Sequence, residues 1–237
     1  MRVLALLSGG KDSVCAVETA RQSGWDVVGA LALRPAADDA WMFHTPNLGV
    51  VRGIAQCLDL PLAEVPVRQG ADLELDDLEV ALLKARDSLR LDGIVSGALA
   101  SEYQKTRVDA IGHRLGIKTF APLWHKEPVE YVRSLVSGGW QIHFSRCAAE
   151  GVPNSWAGQA LDLPKIEAMR THHARPHVAG EGGEYETLVT WAPGWRRRIV
   201  VDKARIEATS GRATWVVESW HLQGAAGASA PHSQSQP

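Results

Sequence analysis

Cysteine is scarce in this chain of 237 residues, and the three cysteines present are not spaced for a shared task. Cys15, Cys57 and Cys147 are odd in number, lie far apart and include no Cys-x-x-Cys pair. A disulfide framework and a zinc site are therefore not expected. The same pattern is typical of a reducing compartment, so we expect a cytoplasmic location.

Long apolar runs and a surplus of positive charge are also absent. No apolar stretch approaches the ~20 residues that a membrane-spanning helix needs, so we expect no membrane association. The formal net charge is −2, which gives no electrostatic basis for binding nucleic acid. The chain starts with a short apolar run and a polar turn, a pattern unlike that of a signal peptide. The hydrophobic content of 45% is ample for a packed core, so these exclusions leave a globular protein.

The N-terminal stretch carries the strongest positive signal. Residues 3–7 are apolar and uncharged, as expected of a strand buried on both faces of a parallel sheet. Ser-Gly-Gly-Lys-Asp-Ser follows at 8–13, where Gly9 and Gly10 let the backbone bend sharply and approach a ligand. A helix then begins, and the free N–H groups of its first turn form an anion site. Lys11 adds a mobile positive charge, and the spacing differs from that of a Walker A loop. The alternative is a glycine-rich turn that binds nothing.

Apolar runs of strand length then alternate with amphipathic helices as far as Trp124. The predicted strands are 26–33, 62–67, 93–97 and 118–124, with helices between them at about 47–58, 72–90 and 101–115. This alternation predicts an α/β fold with a doubly wound, mostly parallel sheet. Ligands of such sheets bind beyond the carboxyl ends of the strands, where Ser8 and Gly97 would lie.

The rhythm changes after residue 124. Helices are predicted at 127–136 and 163–173, and extended segments at 140–147, 187–191, 198–204 and 214–222. We therefore predict a first domain over 1–124 and a second, smaller mixed α/β domain over 125–223. Residues 224–237 consist mostly of Gly, Ala, Ser, Gln and Pro without apolar periodicity, which predicts a disordered tail.

Two stretches of the first domain could contribute to a site at this edge. His44 and Asn47 belong to an aromatic-rich loop, for which the alternative is a hydrophobic plug with Asn47 capping the next helix. Gln104 and Arg107 lie three apart on a helix that starts at the same edge, so they could act together on a phosphate, carboxylate or ribose. The alternative for this helix is a solvated face with Ser101 as its cap.

The second domain contains a cluster of carboxylates at Gly-Glu-Gly-Gly-Glu-Tyr-Glu-Thr, residues 180–187. Three carboxylates so close together repel one another unless they are solvated or bind a cation. Oxygen ligands of this kind suit Mg²⁺, and they could also hold ammonium or a basic substrate. The alternative is an exposed acidic turn.

Taken together, these motifs resemble a known family. The stretch 8–13 resembles the PP-loop of the N-type ATP pyrophosphatases, whose first domain is a Rossmann-like (HUP-type) sheet. With the stretches 42–47, 97–107, 122–124 and 180–187, in this order, the chain resembles the diphthine–ammonia ligases over roughly residues 1–205. One departure is Trp191, which stands where that family usually has an aspartate.

The resemblance implies a function and a set of residues. Diphthine–ammonia ligases adenylate diphthine on elongation factor 2 with ATP, amidate it with ammonium, and release AMP and pyrophosphate. It implies Lys11, Asp12, Glu181 and Glu184 as catalytic candidates and Asp12 as a Mg²⁺ ligand, with Glu186 joining the glutamates that could bind metal, ammonium or substrate. ATP would bind at Ser8, Gly9, Gly10, Lys11, Asp12, Ser13, Gly97, Gln104 and Arg107; substrate would bind at His44, Asn47, Glu102, Tyr103, Gly182, Gly183, Glu186 and Thr187.

Two other functions remain open on the sequence. One is another PP-loop enzyme, such as a tRNA-thiolating or tRNA-amidating ligase, which would favour a basic surface and paired cysteines. In such an enzyme Cys147 would be the reactive thiol, since Cys15 and Cys57 fall at core positions of helices. The other is a nucleotide-binding module without catalysis, which would not need the acidic motif.

Overall fold

The computed structural model describes residues 1–35, 47–68 and 70–224, and these form two β-sheets with flanking helices. The first sheet contains β1 (Arg2–Leu6), β2 (Asp26–Pro35), β3 (Leu62–Val67), β4 (Gly93–Val95) and β5 (Lys118–Phe120). All neighbouring strands are parallel, in the order β3-β2-β1-β4-β5. The predicted doubly wound α/β fold is confirmed, and the strand order reverses between β1 and β4.

The helices of this unit follow its strands. They are α1 (Lys11–Gln22), α2 (Leu48–Cys57), α3 (Ala71–Leu89) and α4 (Glu102–Leu115). Alternate residues of β1 point to opposite faces, as strand geometry requires: Leu4 and Leu6 pack with α3 and α4, whereas Val3 and Ala5 pack with α1 and α2. Both faces are therefore covered, which explains why this strand is apolar from Val3 onward.

The second sheet is antiparallel, in the order β7-β6-β9-β8. It comprises β6 (Gln141–Cys147), β7 (Tyr185–Trp191), β8 (Arg197–Thr209) and β9 (Arg212–Gly224), and the chain adds α5 (Pro128–Ser137) and α6 (Leu163–Thr171). Strands and helices are thus both present, as the prediction of a mixed second unit requires. The predicted strands 198–204 and 214–222 are considerably longer than expected, because β8 and β9 form one extended hairpin.

A single hydrophobic cluster joins the two sheets. It includes Ala5 of β1 and Val14 of α1 together with Phe144 of β6 and Leu188 of β7, all of them buried. Helix α1 also contacts β7, and α2 contacts β8 and β9. The second sheet consequently covers part of the helical layer of the first, and the boundary at residue 124 stays a prediction.

Several helices and strands end at other residues than predicted, and two predicted segments lie outside the described residues. The fourth strand ends at Val95 rather than at 97, because the next residues border the cavity described below. The fifth ends at Phe120 rather than at 124, where the chain enters a turn. Asn47 occupies the position before α2, but its side chain makes no capping hydrogen bond. The predicted loop at 36–46, with His44, and the predicted tail from 225 onward lie outside the described residues.

Candidate active site

A cavity of about 480 Å³ lies at the point where the strand order of the first sheet reverses. One wall is the loop after β1, including Ser8, Lys11 and Asp12; another is the loop after β4, including Gly97. The wall opposite comes from the second unit, with residues 179–183 and 185–188. The structure therefore brings the glycine-rich loop and the acidic motif, more than 150 residues apart, to one site of a size that suits a small-molecule ligand.

The glycine-rich loop is held in place from β7. The backbone N–H of Val189 donates to the carbonyl of Gly9 over 3.0 Å, and Gly9 has a φ of +84°, which favours glycine. Thr187 Oγ1 accepts a hydrogen bond of 3.0 Å from the backbone N–H of Lys11. The N-cap residue of α1 is Gly10, which has no side chain to accept a hydrogen bond from the first helical turn. Thr187 provides the acceptor instead.

Lys11 is buried rather than mobile, and the expectation of a free charge is wrong on this point. Its side chain is only 3% exposed, and its ammonium group donates to the carbonyl of Ala179 over 2.6 Å and to Asp12 Oδ2 over 2.9 Å. The other carboxylate oxygen of Asp12 accepts a 2.9 Å hydrogen bond from the hydroxyl of Tyr131. Burial, with Asp12 next in weight, raises the pKa of Tyr131 well above its usual value, so this hydroxyl stays protonated and donates.

The close packing of the loop after β4 against α1 explains why residue 97 is a glycine. A Cβ at this position would lie 2.6 Å from both the carbonyl carbon of Asp12 and the backbone nitrogen of Ser13. No side chain larger than hydrogen fits there without moving the start of the helix. Gly97 thus allows the loop after β4 to reach the glycine-rich loop.

Helix α4 contributes some of its predicted residues to the cavity but not all of them. Tyr103 and Gln104 line it, and Ser101 Oγ accepts from the Gln104 N–H, which confirms Ser101 as the cap. Arg107 does not line it: the guanidinium carbon lies 3.4 Å from the centre of the Tyr103 ring, and Nη1 donates to the Tyr103 carbonyl. Glu102 is exposed and likewise outside the lining. Gln104 lines the cavity and Arg107 does not, so their positions do not support the expectation that they act together on one ligand.

The three glutamates of the acidic motif have three separate partners. Glu181 lines the cavity and accepts from the Ala100 N–H over 3.1 Å, which links the acidic loop to the loop after β4. Glu184 accepts from the backbone N–H of His177 and lies outside the cavity lining. Among the residues described, no group of three His, Cys, Asp or Glu side chains is arranged to hold a metal ion. The three glutamates therefore have separate surroundings, and their roles in binding metal, ammonium or substrate stay predictions.

Glu186 is the carboxylate of the motif that forms an ion pair. Its side chain is 18% exposed and lines the cavity, and Oε1 pairs with Arg146 Nη1 at 3.2 Å. Burial raises the pKa of Glu186 to about 7, although the positive charges of Arg146 and Arg212 act in the opposite direction. Glu186 thus titrates near neutral pH.

The remaining predicted residues divide into two groups. Ser8, Gly10, Ser13, Asn47, Gly182 and Gly183 line the cavity with those already described. The Asn47 amide donates to the Trp215 carbonyl and its oxygen accepts from the Val217 N–H, both at 2.9 Å, so it joins α2 to β9. Gly9 is not part of the lining, and neither is Trp191, the position at which the sequence departs from the resembled family.

Two residues that border the site were missed on the sequence. Ser145 is 2% exposed and lines the cavity, and Tyr131 holds Asp12. The spacing of Ile142, Phe144 and Cys147, which changes from two to three residues, indicates a bulge at which Ser145 turns inward. No local pattern points to Tyr131, because its contact with α1 spans 119 residues.

All three cysteines are buried, which bears on the sulfur-transfer alternative. Cys15 and Cys57 are core residues, as predicted. Cys147 is 0% exposed, and burial raises the pKa of its thiol to about 12. The thiolate is the reactive form of cysteine, so Cys147 does not suit the role that the sulfur-transfer alternative would assign to it.

The fold and the cavity define a class, which comparisons with known proteins narrow to a family. The class is that of doubly wound α/β proteins with a glycine-rich loop at the topological switch point. Residues 1–119 match the model of the diphthamide synthase N-terminal domain, and residues 127–222 match that of the C-terminal domain. The chain belongs to the diphthamide synthase family.

The chain is also similar to individual proteins of known name. A human protein named diphthine--ammonia ligase is 31% identical, covering 90% of this chain and 87% of its own length. A protein of the same name from Schizosaccharomyces pombe is also 31% identical, over 91% of this chain and 39% of its own length. A crystal structure of a predicted tRNA methyltransferase subunit from Methanocaldococcus jannaschii covers 78% of this chain and 89% of its own, with 13% identity and a TM-score of 0.37, too low for any inference.

Within the described ranges, no helix is both long and apolar enough to cross a membrane.

Proposed function

We propose that this protein is a diphthine–ammonia ligase. It forms the amide of diphthamide on elongation factor 2 from the carboxylate of diphthine and ammonia, and converts ATP to AMP and pyrophosphate. The observation that carries the proposal is the shared cavity, in which the loop after β1 faces the acidic loop of residues 180–187. The relatives of the same name, which align over nearly the whole chain, support the choice of substrate.

In the first step, the diphthine carboxylate attacks the α-phosphorus of ATP, and the bond to the pyrophosphate oxygen breaks. The phosphates belong at the loop 8–13, because the N-terminus of α1 points its N–H groups and its positive dipole end there. Lys11, fixed by Asp12 and Ala179, places a positive charge beside the same loop. A charge that is already oriented stabilises the departing pyrophosphate without reorganisation.

Mg²⁺ would accompany ATP, and Asp12 is the residue that would hold it. Asp12 is the carboxylate nearest the start of α1, its side chain is 32% exposed, and it lines the cavity. The described residues offer no three-carboxylate cage, which fits an ion that is bound through one carboxylate and the phosphates of its nucleotide. Its chemistry there is to neutralise phosphate charge.

In the second step, ammonia attacks the carbonyl carbon of the acyl-adenylate and AMP departs. No thiol is needed for this reaction, in agreement with the burial of all three cysteines. Glu181 and the glycines at 182 and 183 border the cavity opposite the loop 8–13, where the protein substrate would approach.

The test is to incubate the purified protein with diphthine-bearing elongation factor 2, ATP, Mg²⁺ and isotopically labelled ammonium. Mass spectrometry of the modified histidine should show one labelled nitrogen, with AMP and pyrophosphate formed in equal amounts. Omitting ammonium should prevent amide formation. Failure to label elongation factor 2 under conditions in which the human relative labels it would refute the proposal.

A further inference from the structure

The end of the cavity between β6 and β7 contains buried polar atoms without partners. Within the described ranges, Ser145 Oγ, Arg146 Nε and Glu186 Oε2 neither donate nor accept a hydrogen bond. Buried polar atoms are normally paired, so each such atom calls for an explanation. Ser145 and Glu186 line the cavity, whereas Arg146 does not. Two residues of the cavity wall therefore each carry a buried oxygen without a hydrogen-bond partner.

A β-bulge brings Ser145 next to the residue that pairs with Glu186. Phe144 pairs with Thr187 and Arg146 pairs with Glu186, so Ser145 is an extra residue without a partner on β7. Bulges of this kind redirect a side chain and often occur beside active sites. Ser145 is thereby turned into the interior at 2% exposure, next to the cross-strand pair. Arg146 holds Glu186 by Oε1 at 3.2 Å, which leaves Oε2 without a partner.

The chemistry of the two oxygens selects the ligand. A carboxylate oxygen and a hydroxyl oxygen can both accept hydrogen bonds, and the carboxylate adds a negative charge. A phosphate or carboxylate ligand would be repelled by Glu186, while a small cation with several N–H donors satisfies both oxygens. We infer that Ser145 and Glu186 form the ammonium subsite of the reaction proposed above, and that Glu186 accepts the proton that ammonium loses before its nitrogen attacks. This inference rests on the proposed function.

The step begins with ammonium and ends with an amide and AMP. Ammonium has no lone pair, and transfer of one proton to Glu186 Oε2 leaves ammonia with a free electron pair. That pair forms the bond to the acyl carbon, and the bond from this carbon to the AMP oxygen breaks with its electrons on AMP. The excess proton on nitrogen passes to solvent, and Glu186 releases its own proton before the next turnover.

The charges around Glu186 suit a proton acceptor that works near neutral pH. Arg146 of β6 and Arg212 at the start of β9 act on it with positive charge. Elsewhere on the cavity wall, Lys11 and Asp12 of α1 form an ion pair at 2.9 Å, and Glu181 is bound to the Ala100 N–H. Burial outweighs the two arginines and raises the pKa of Glu186 to about 7, near the value at which a general base is most effective.

The experiment compares two nucleophiles in one assay, with Glu186→Gln as the variant. Hydroxylamine is uncharged at neutral pH and attacks acyl-adenylates without losing a proton first. At pH 7, Glu186→Gln should lower the rate with ammonium chloride by about 100-fold and the rate with hydroxylamine by no more than about threefold. The deficit with ammonium should shrink as the pH approaches the pKa of ammonium, because free ammonia then needs no base.

The control is Glu79→Gln, which removes a glutamate from another Arg–Glu pair, that with Arg114, outside the cavity. It should leave both rates unchanged. An equal loss with ammonium and hydroxylamine in Glu186→Gln, or no loss with either, would overturn the inference. Failure of the proposed function gives a different result from failure of this inference. In that case wild-type protein would form no AMP from diphthine-bearing elongation factor 2, with ammonium or with hydroxylamine.

Ser145→Ala keeps the inference testable if Glu186→Gln does not fold. Loss of one acceptor should raise the KM for ammonium several-fold while the KM for ATP and the hydroxylamine rate stay the same. An unchanged KM for ammonium in folded Ser145→Ala protein would exclude Ser145 from the subsite and overturn the inference as stated.

Discussion

Lys11 and Asp12 stand side by side at the start of α1, and each is held from a distant part of the chain. The Lys11 ammonium reaches the Ala179 carbonyl, and the Tyr131 hydroxyl reaches Asp12 Oδ1. Both side chains are therefore oriented before any ligand binds, which lowers the reorganisation that the reaction requires.

Replacing Lys11 with alanine should consequently affect stability as well as activity. The variant leaves the buried Ala179 carbonyl without its donor, so unfolding free energy should fall by about 1–3 kcal/mol. AMP formation should be lost because the fixed charge beside the phosphates is gone. Urea unfolding and an AMP assay measure the two effects.

Lys203→Ala is the control for Lys11→Ala, because Lys203 is 75% exposed and pairs with Glu218 at the surface. It should change neither quantity. Folded Lys11→Ala protein that forms AMP at the wild-type rate would contradict the assignment of the loop.

Glu186 should make the stability of the protein depend on pH in an unusual direction. Its pKa is raised from 4.5 to about 7, so the folded protein binds a proton more tightly than the unfolded chain. The stabilisation is complete below pH 4.5 and is lost as pH rises to about 7, a change of roughly 3 kcal/mol at most. Urea unfolding at several pH values should show this slope in wild-type protein and its absence in Glu186→Gln.

The same series with Glu79→Gln should keep the wild-type slope over this range, because the Arg114 hydrogen bond lowers the pKa of Glu79 instead of raising it. If Glu186→Gln and wild-type protein show parallel curves between pH 4.5 and 7, the Glu186 carboxyl is not the group that titrates.

At the scale of elements, the start of α1 is positioned by close backbone contact with the loop after β4. Gly97→Ala should displace that turn, because its Cβ would lie 2.6 Å from backbone atoms of Asp12 and Ser13. Melting temperature and ATP affinity should both fall. Gly49→Ala is a matched control, because among the described residues a Cβ at that position in α2 would meet no atom within 4 Å beyond its chain neighbours and its own helix backbone. Helix propensity there favours alanine by up to ~1 kcal/mol. Equal behaviour of the two variants would show that the contact at Gly97 is relaxed easily.

Asn47 connects two elements rather than capping one. Aspartate and asparagine are equally good helix caps, so Asn47→Asp would be neutral if Asn47 acted as the cap. The observed hydrogen bonds predict a loss of about 1–3 kcal/mol, because aspartate has no N–H to donate to the Trp215 carbonyl. Denaturant unfolding of Asn47→Asp beside Asn47→Ala distinguishes the two roles, and a neutral Asn47→Asp would favour capping.

For the whole molecule, the hydrophobic cluster shared by both sheets has a thermodynamic consequence. Burial of Val14 beside Phe144 and Leu188 means that neither sheet keeps its core when the other unfolds. We expect a single calorimetric transition, with the calorimetric enthalpy equal to the van't Hoff enthalpy. A control is the fragment 1–124, which should unfold at a much lower temperature than the whole chain. Two separate transitions in the full chain would favour two independent domains.

The secondary structure of the first unit could be predicted from local patterns. The buried stretch 3–7 of the first strand is uninterrupted by charge, and Ser101 and Gly116 bound α4 as predicted. The lengths of β8 and β9 could not be predicted, because their outer halves are held by cross-strand ion pairs such as Lys203–Glu218 rather than by an apolar pattern. Periodicity reports which face of an element is buried and says little about strands with two exposed faces.

The sequence by itself determined the doubly wound sheet, the glycine-rich loop at its edge and the family, because these depend on residues that are neighbours in the chain. Only the tertiary structure decided that Lys11 is buried, that Arg107 lies outside the cavity, and that Glu181, Glu184 and Glu186 have different partners. The contacts with Ala179 and Ala100 depend on packing of the second unit against the first, and the contact with Arg146 depends on the pairing of β6 with β7. A motif names the residues that can react, and long-range contacts set their charge, their orientation and their access to the cavity.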